Sequence, residues 1–240
     1  MHATAIATTV GLDLAKNVFQ AHGADAHGRV LFRKKLQRNQ VLEFFANLAP
    51  CLVAMEACGS AHHWGRKLGE LGHTARLIAP QYVKPYVKGQ KNDAADAAAI
   101  CEAASRPHMR FVALKSAQQQ SLLALHTVRS GLIKQRTALS NQIRGLLAEF
   151  GLVLPKGLAQ LRQRLAPLVQ EAGSALTPVM RQLLALLEQQ LRQLDEPIGL
   201  LERHIQHLAQ SDARSRRLQQ IPGVGPITAS ALAASVGDAR

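Results

Sequence analysis

The sequence predicts an α/β domain with a mixed five-stranded sheet, followed by a region that is almost entirely helical. Short apolar runs alternate with helical segments as far as about residue 112, in the order βββ-α-β-α-β-α. Beyond that point the leucines recur at steps of three and four, which is the helical period. A chain of 240 residues is long enough to bury more than one core.

Three strands open the chain. Thr4–Leu12 is an uncharged run of Ala, Ile, Val and Thr, and Asn17–His22 and Arg29–Leu36 follow it after short polar turns. Connections this short favour antiparallel neighbours. The apolar spacing within Gln40–Leu48 then predicts the first helix, and Pro50 closes it.

Two strand–helix crossovers complete the sheet. Cys51–Met55 is an apolar strand, Ala61–Leu71 a helix and Thr74–Ala79 a further strand, and an Ala-rich helix spans Asp93–Ser105. Such crossovers make the strands parallel, and a meander followed by two of them places the first and fourth strands side by side at the centre. This is the ribonuclease-H-like plan.

Four carboxylates are the candidate catalytic and metal-binding residues. Asp13 and Glu56 each close an apolar strand, where a buried carboxylate needs a partner or a cation. Asp93 and Asp96 lie three apart at a helix start and so share a face, although helix capping alone also favours Asp there. Together the four fit two Mg²⁺ ions about 4 Å apart, acting on a phosphodiester.

Two long helices are predicted after the α/β domain. Gln118–Phe150 contains no acidic residue before Glu149, and its apolar seam is interrupted by Arg129 and Arg136. We predict that Arg129, Lys134, Arg136 and Arg144 contact nucleic acid, the alternative being a solvated basic face. The second helix has a coiled-coil heptad from Leu184 to Leu208. Its seam pairs either with the first helix or with another subunit.

A possible DNA contact follows near the end of the chain. Asp212–Gln220 and Ile227–Val236 are short helical segments joined by a turn that contains Gly223 and Gly225. Glycines let a backbone approach a phosphate closely, and the N–H groups at a helix start can hold it. Arg216 and Arg217 lie just upstream. A helix-hairpin-helix contact is predicted, with a plain packing corner as the alternative.

The charge of the chain indicates a polyanionic partner. The net charge is +13 and the pI is near 10.4, which favours nucleic acid. With only 4% aromatic residues, phosphate contacts are expected rather than base stacking. No export signal and no membrane-length apolar run are visible, so a cytoplasmic location without membrane contact is expected.

Four motifs occur in order: Gly11 to Lys16 (GLDLAK), Met55 to Ser60 (MEACGS), Lys91 to Ala97 (KNDAADA) and Ile221 to Pro226 (IPGVGP). Together they resemble the Asp-Glu-Asp-Asp transposases of the insertion-sequence one-ten family over nearly the whole chain. The resemblance implies a RuvC-like domain with Asp13, Glu56, Asp93 and Asp96 as Mg²⁺ ligands. It also implies an oligomeric recombinase that binds DNA and a structured guide RNA.

The resemblance sets the expected domains and one departure. We expect a RuvC-like metal-dependent domain over 1–112, a helical coiled-coil region over 113–211 and an incomplete transposase domain over 212–240. The family's serine motif lies beyond the region that ends at Arg240, so a truncated copy is expected and no serine nucleophile is assigned. The competing hypotheses are a RuvC-like structure-specific endonuclease and an inactive nucleic-acid-binding or oligomerisation remnant.

Overall fold

The computed structural model describes residues 6–87 and 93–236, with the side chains of Asp93 and Ser174 outside that description. The chain forms two compact units. The first contains the residues up to Gln119 together with Val236 onward, and the second contains Gln120–Ser235. The domain boundaries expected from the sequence at residues 112 and 211 remain predictions.

The first unit is built on a mixed sheet with the strand order β3-β2-β1-β4-β5-β6 among the described residues. The central strands β1 and β4 are parallel neighbours, as predicted. The sheet has six strands rather than the predicted five, because a two-residue strand pairs antiparallel with β5. The strands are β1 (Thr9–Asp13), β2 (Val18–Ala24), β3 (Val30–Gln37), β4 (Leu52–Glu56), β5 (Thr74–Ile78) and β6 (Phe111–Val112).

The helices follow the predicted order, with shifts of a few residues at their ends. The four that belong to the α/β part are α1 (Val41–Ala46), α2 (Ala61–Glu70), α3 (Pro80–Val83) and α4 (Asp93–Ala104). The remaining helices are α5 (Ala117–Ala148), α6 (Leu158–Glu171), α7 (Pro178–Ser211), α8 (Ala213–Leu218) and α9 (Pro226–Val236). None of the described helices is both long and apolar enough to cross a membrane.

The sheet is covered on both faces. One face carries the larger core, in which Leu12, Phe19 and Met55 pack with Phe45 of α1 and Trp64 of α2. The other face is covered by α4, whose Ala99, Ile100 and Ala103 join Ala54 and Ile78. Leu12 and Met55 therefore face the first layer, and the alternation along a strand turns their neighbours Asp13 and Glu56 toward the α4 side.

In the second unit α5 and α7 pack against each other as antiparallel helices. Arg129 donates to Glu202 over 2.9 Å and Arg136 to Asp195 over 3.0 Å. The second pair lies seven residues later in α5 and seven residues earlier in α7, which is the register of an antiparallel pair. Of the two arrangements left open by the sequence, the chain forms the one between its own helices.

The heptad seam of α7 is continuous through a proline. Thr177 accepts a hydrogen bond from the backbone N–H of Met180 and so caps the helix, with Pro178 in its first position. Leu184, Leu191 and Ile198 are all buried, on both sides of Pro197. The proline therefore interrupts one backbone hydrogen bond without ending the apolar face.

Candidate metal centre

Two of the predicted carboxylates close neighbouring strands at the centre of the sheet. Leu12 pairs with Met55 in the parallel register of β1 and β4, and Asp13 and Glu56 are the next residues of their strands. Neighbouring strands lie about 4.8 Å apart. Both carboxylates are half-buried on the face that α4 covers.

The charges of these two side chains affect the pKa of the Cys58 thiol. Burial raises the pKa of Cys58, and the charges of Glu56 and Asp13 raise it further. Two residues from separate strands therefore act on one thiol. The result is a local concentration of negative charge at the carboxyl end of the sheet, which is the environment that attracts a hard cation.

Helix α4 lies directly on β1. A Cβ atom built on Gly11 would lie 2.1 Å from the carbonyl oxygen of Ala97 and 2.5 Å from the nitrogen of Cys101. The thiol of Cys101 also reaches the carbonyl oxygen of Thr9, over 3.7 Å. Only glycine at position 11 permits this approach, and the small alanines of α4 contribute to it.

The structure joins the four predicted ligands only in part. Asp96 is half-buried on α4. Among the described residues, however, no group of three or more His, Cys, Asp or Glu side chains is arranged to hold a metal ion. The first residue of α4 is Asp93, whose side chain lies outside the described part. Asp13 and Glu56 are brought together, whereas Asp96 does not complete a three-residue group with them.

The donor set still suits the expected ion. Ionised carboxylates offer only oxygen acceptors, and Mg²⁺ prefers oxygen ligands, binding through one or two carboxylates plus substrate phosphates. Asp13 and Glu56 supply two such groups from rigid strands at the sheet centre. They fit a Mg²⁺ site that a substrate and a further residue would complete.

The predicted nucleic-acid-binding residues of α5 have partners within the chain. Arg129 and Arg136 bind the carboxylates of Glu202 and Asp195. Arg144 donates to the backbone carbonyl oxygens of Pro155 and Gly157, which hold the segment leading into α6. Lys134 is exposed. Three of the four cations therefore contribute to the packing of the second unit.

The predicted turn near the end of the chain is present between α8 and α9. Gly223 has a φ of +85°, which L side chains rarely adopt, and Gly225 accepts the first hydrogen bond of α9 from Ala229. Arg216 and Arg217 are both exposed in the last turn of α8. The two arginines and the two glycines thus lie on one short exposed segment.

Ser230 of α9 is buried beside a histidine of α5. Its side chain is fully buried, donates to the carbonyl oxygen of Ile227 and lies 3.0 Å from Nε2 of His126.

The chain is similar in sequence to known transposases. A family model for Asp-Glu-Asp-Asp transposases of the IS110 type, described as "Transposase", matches residues 10–151. The chain is 56% identical to a "Probable family 20 transposase" of Pseudomonas aeruginosa, over 96% of this chain and 69% of that protein. It is 46% identical to the "Putative transposase y4pF/y4sB" of Sinorhizobium fredii, over 96% of this chain and 59% of that protein.

The name of a third relative refers to a mobile element. The "Transposase for insertion sequence element IS1328" of Yersinia enterocolitica is 44% identical over 97% of this chain and 69% of its own length. The chain thus spans about three-fifths to seven-tenths of the relatives it matches. With more than half of its residues in the family match and such identities, the chain belongs to the IS110 family of insertion-sequence transposases.

Proposed function

We propose that the carboxylate edge formed by Asp13 and Glu56 is a Mg²⁺-dependent centre acting on DNA phosphodiester bonds. The observation that carries this proposal is the closure of two adjacent parallel strands by acidic residues at the middle of the sheet. The order of strands around them supports a ribonuclease-H-like, RuvC-type domain. A divalent cation held there would polarise a phosphoryl oxygen and lower the pKa of a bound water.

Asp93 and Asp96 are the proposed further ligands on α4. Cys101 lies near Thr9 and Ala97 near Gly11, so α4 runs opposite to β1. Four helical residues advance about 6 Å, and two strand residues advance about 6.6 Å. Four residues before Ala97 and two residues after Gly11, the backbone of position 93 lies beside that of Asp13. Because the two advances are nearly equal, we propose Asp93 as the α4 ligand nearer to Asp13 and Asp96 as the more distant one.

The second unit is proposed to hold nucleic acid as well. Lys134, Arg216 and Arg217 are exposed cations, and the Gly223–Gly225 turn exposes backbone where a phosphate can approach. Binding of DNA is the function that the family assignment favours. Binding of a structured guide RNA and assembly of several copies remain part of the proposal, supported by the net charge of +13 and by the resemblance.

The test measures Mg²⁺ binding by calorimetry and by the stabilisation against thermal unfolding that Mg²⁺ gives. Asp13→Asn and Glu56→Gln remove a charge at nearly constant volume, and each should abolish the stabilisation by Mg²⁺. That stabilisation is expected to be about 2.7 kcal/mol at a hundredfold excess over the dissociation constant. The matched control is Glu70→Gln, an exposed carboxylate at the far end of α2.

The control variant should respond to Mg²⁺ as the parent does. Parent-like affinity in Asp13→Asn and Glu56→Gln would refute the metal assignment, whatever their stability without metal. Mg²⁺-dependent cleavage of branched DNA without RNA would instead favour a structure-specific endonuclease. Salt-sensitive DNA or RNA binding without any cleavage would indicate a binding module.

A further inference from the structure

A cavity of about 530 Å³ lies at the same edge of the sheet as the carboxylates, on the α2 side. β3 ends there at Gln37, whose partner Val18 begins β2. The backbone N–H of Arg38 donates to the carbonyl oxygen of Asn17 over 2.9 Å, which fixes the rim. The lining residues are Asn17, Gln37, Arg38, Asn39, His63 and Trp64.

The wall of this cavity contains a buried donor that lacks an acceptor. Trp64 is only 4% exposed, and its indole Nε1 has no hydrogen-bond partner among the described residues. Most buried N–H groups in proteins are paired, so an unpaired one calls for an explanation. The N–H itself is closed to solvent, so Trp64 contributes to this site through the ring on which Arg38 stacks.

Arg38 is held in place over the same ring. Its guanidinium carbon lies 5.2 Å from the ring centre of Trp64 and 5.8 Å from that of Phe19. One of its terminal nitrogens donates to the carbonyl oxygen of Lys16 over 3.2 Å. A guanidinium carries five N–H donors in a rigid fork that matches phosphate geometry. The stacking fixes the plane of that fork before any ligand arrives.

The cavity is close to the carboxylate edge along the chain. Asn17 is four residues after Asp13, so their Cα atoms are at most about 14 Å apart. A nucleic-acid strand carries a phosphate about every 3.4 Å along a duplex axis. Because Arg38 is hydrogen-bonded to Asn17, a strand that crosses this edge presents phosphates both to the carboxylates and to Arg38.

We propose that this cavity binds a backbone phosphate of the nucleic-acid strand on which the carboxylate edge acts, which rests on the proposed function. Arg38 donates to the phosphate oxygens, and the Trp64 ring lies beneath its guanidinium. The contact reads no base, so it positions the strand without selecting its sequence. The site's role is to hold the strand in register with Asp13 and Glu56.

The test uses a single-stranded DNA oligonucleotide and the full chain in EDTA, with no divalent metal. Trp64 is the single tryptophan of the sequence, so a change in its emission on binding reports this cavity alone. Arg38→Ala should weaken binding about tenfold and lower the salt dependence by about one counterion. Arg38→Lys should keep the salt dependence but recover only part of the affinity, because lysine lacks the planar fork.

The matched control is Lys67→Ala, which removes an exposed cation of α2 that pairs with Glu70. If Arg38→Ala loses no more affinity than Lys67→Ala, or if Trp64 emission does not respond to the oligonucleotide, the proposal is wrong. An equal emission change with inorganic phosphate at the same concentration would also overturn it, in favour of a free-anion site. Circular dichroism verifies that each variant is folded.

The two proposals fail separately. The binding assay contains no metal, so Glu56→Gln should bind the oligonucleotide as the parent does even though its Mg²⁺ response is lost. Parent-like binding by Arg38→Ala, with the Mg²⁺ response of the Glu56 variant lost, would leave the metal centre standing and remove the phosphate site. Loss of binding in Arg38→Ala with an intact Mg²⁺ response in Glu56→Gln would leave the phosphate site standing and remove the metal centre.

Discussion

At the scale of the residue, Gly11 is the position that allows α4 to approach β1. The carbonyl oxygen of Ala97 would lie 2.1 Å from a Cβ at this position, well inside any van der Waals contact. The obstacle is backbone, so it cannot be relieved by a side-chain rotation. Asp13, two residues further along the same strand face, depends on the same approach for any ligand that α4 supplies.

We expect Gly11→Ala to destabilise the protein by about 3 kcal/mol, near the upper end for overpacking in a core. The control is Gly131→Ala in the interior of α5, where a Cβ meets no atom within 4 Å. That variant should gain about 1 kcal/mol, because alanine is the better helix former. Urea unfolding measures both. A stable Gly11→Ala protein would show that α4 does not require this contact.

Residue identity predicted the position of Asp13 and Glu56 in the sheet better than it predicted the orientation of α4. Asp13 and Glu56 end apolar strands, so their position at the sheet edge follows from the strand order. The start of α4 is different, because alanines occupy most positions from Asp93 to Ala104 and mark no distinct apolar face. Its rotation is decided by the contact with Gly11, which no local pattern reveals.

At the scale of the element, Arg129 and Arg136, which are predicted to contact nucleic acid, form ion pairs within the second unit. Asp195 of α7 binds Arg136 of α5 and Arg162 of α6, so one carboxylate joins three helices. Asp195 and Arg136 are 59 residues apart. Such a partner becomes visible only when the register of the two helices is known, so the basic residues appeared unpaired.

We expect Asp195→Asn to cost about 1–2 kcal/mol, because it leaves two arginines without their shared partner. The side chains of Arg136 and Asp195 are 23% and 31% exposed, so solvent screens part of the interaction. Glu188→Gln is the control, since its partner Arg192 is 75% exposed and an isolated surface pair contributes little. Urea unfolding followed by circular dichroism compares them. Equal costs would mean that the three-helix junction adds nothing.

A double-mutant cycle separates this pair from its surroundings. Arg136→Met keeps the aliphatic part of the side chain, and its effect should be smaller in the Asp195→Asn background than in the parent. A coupling free energy of about 0.5–1.5 kcal/mol is expected. Additive effects would place Arg136 among the solvated cations instead, and would return it to the set available for nucleic acid.

At the scale of the whole molecule, the topology was predictable where strands were long enough to carry a pattern. The central β1–β4 pair and the order of the first five strands follow from strand–helix–strand connections. The sixth strand was not predicted, because Phe111–Val112 is too short to alternate. Pairing of α5 with α7 was one of two arrangements compatible with the heptads, and tertiary contacts decided between them.

Both units contain histidines that burial and nearby cations disfavour in the charged form. In the first unit, burial and then Arg33 lower the pKa of His22, while burial, Lys115 and Arg66 lower that of His62. In the second, burial and then Arg129 lower the pKa of His126. The ordinary value is 6.5, so each of these histidines titrates lower in the folded chain than in the unfolded one.

The sign of the resulting pH dependence is fixed by these directions. Below pH 6.5 the unfolded chain takes up protons that the folded chain does not, so stability should be full above that value and decline as the pH falls. His126→Gln can still donate to Ser230 and should remove up to one proton, about 1.4 kcal/mol per pH unit, from the slope. Urea unfolding between neutral pH and about pH 5 measures it. An unchanged slope in the variant would mean that His126 takes up its proton in the folded chain as readily as in the unfolded chain.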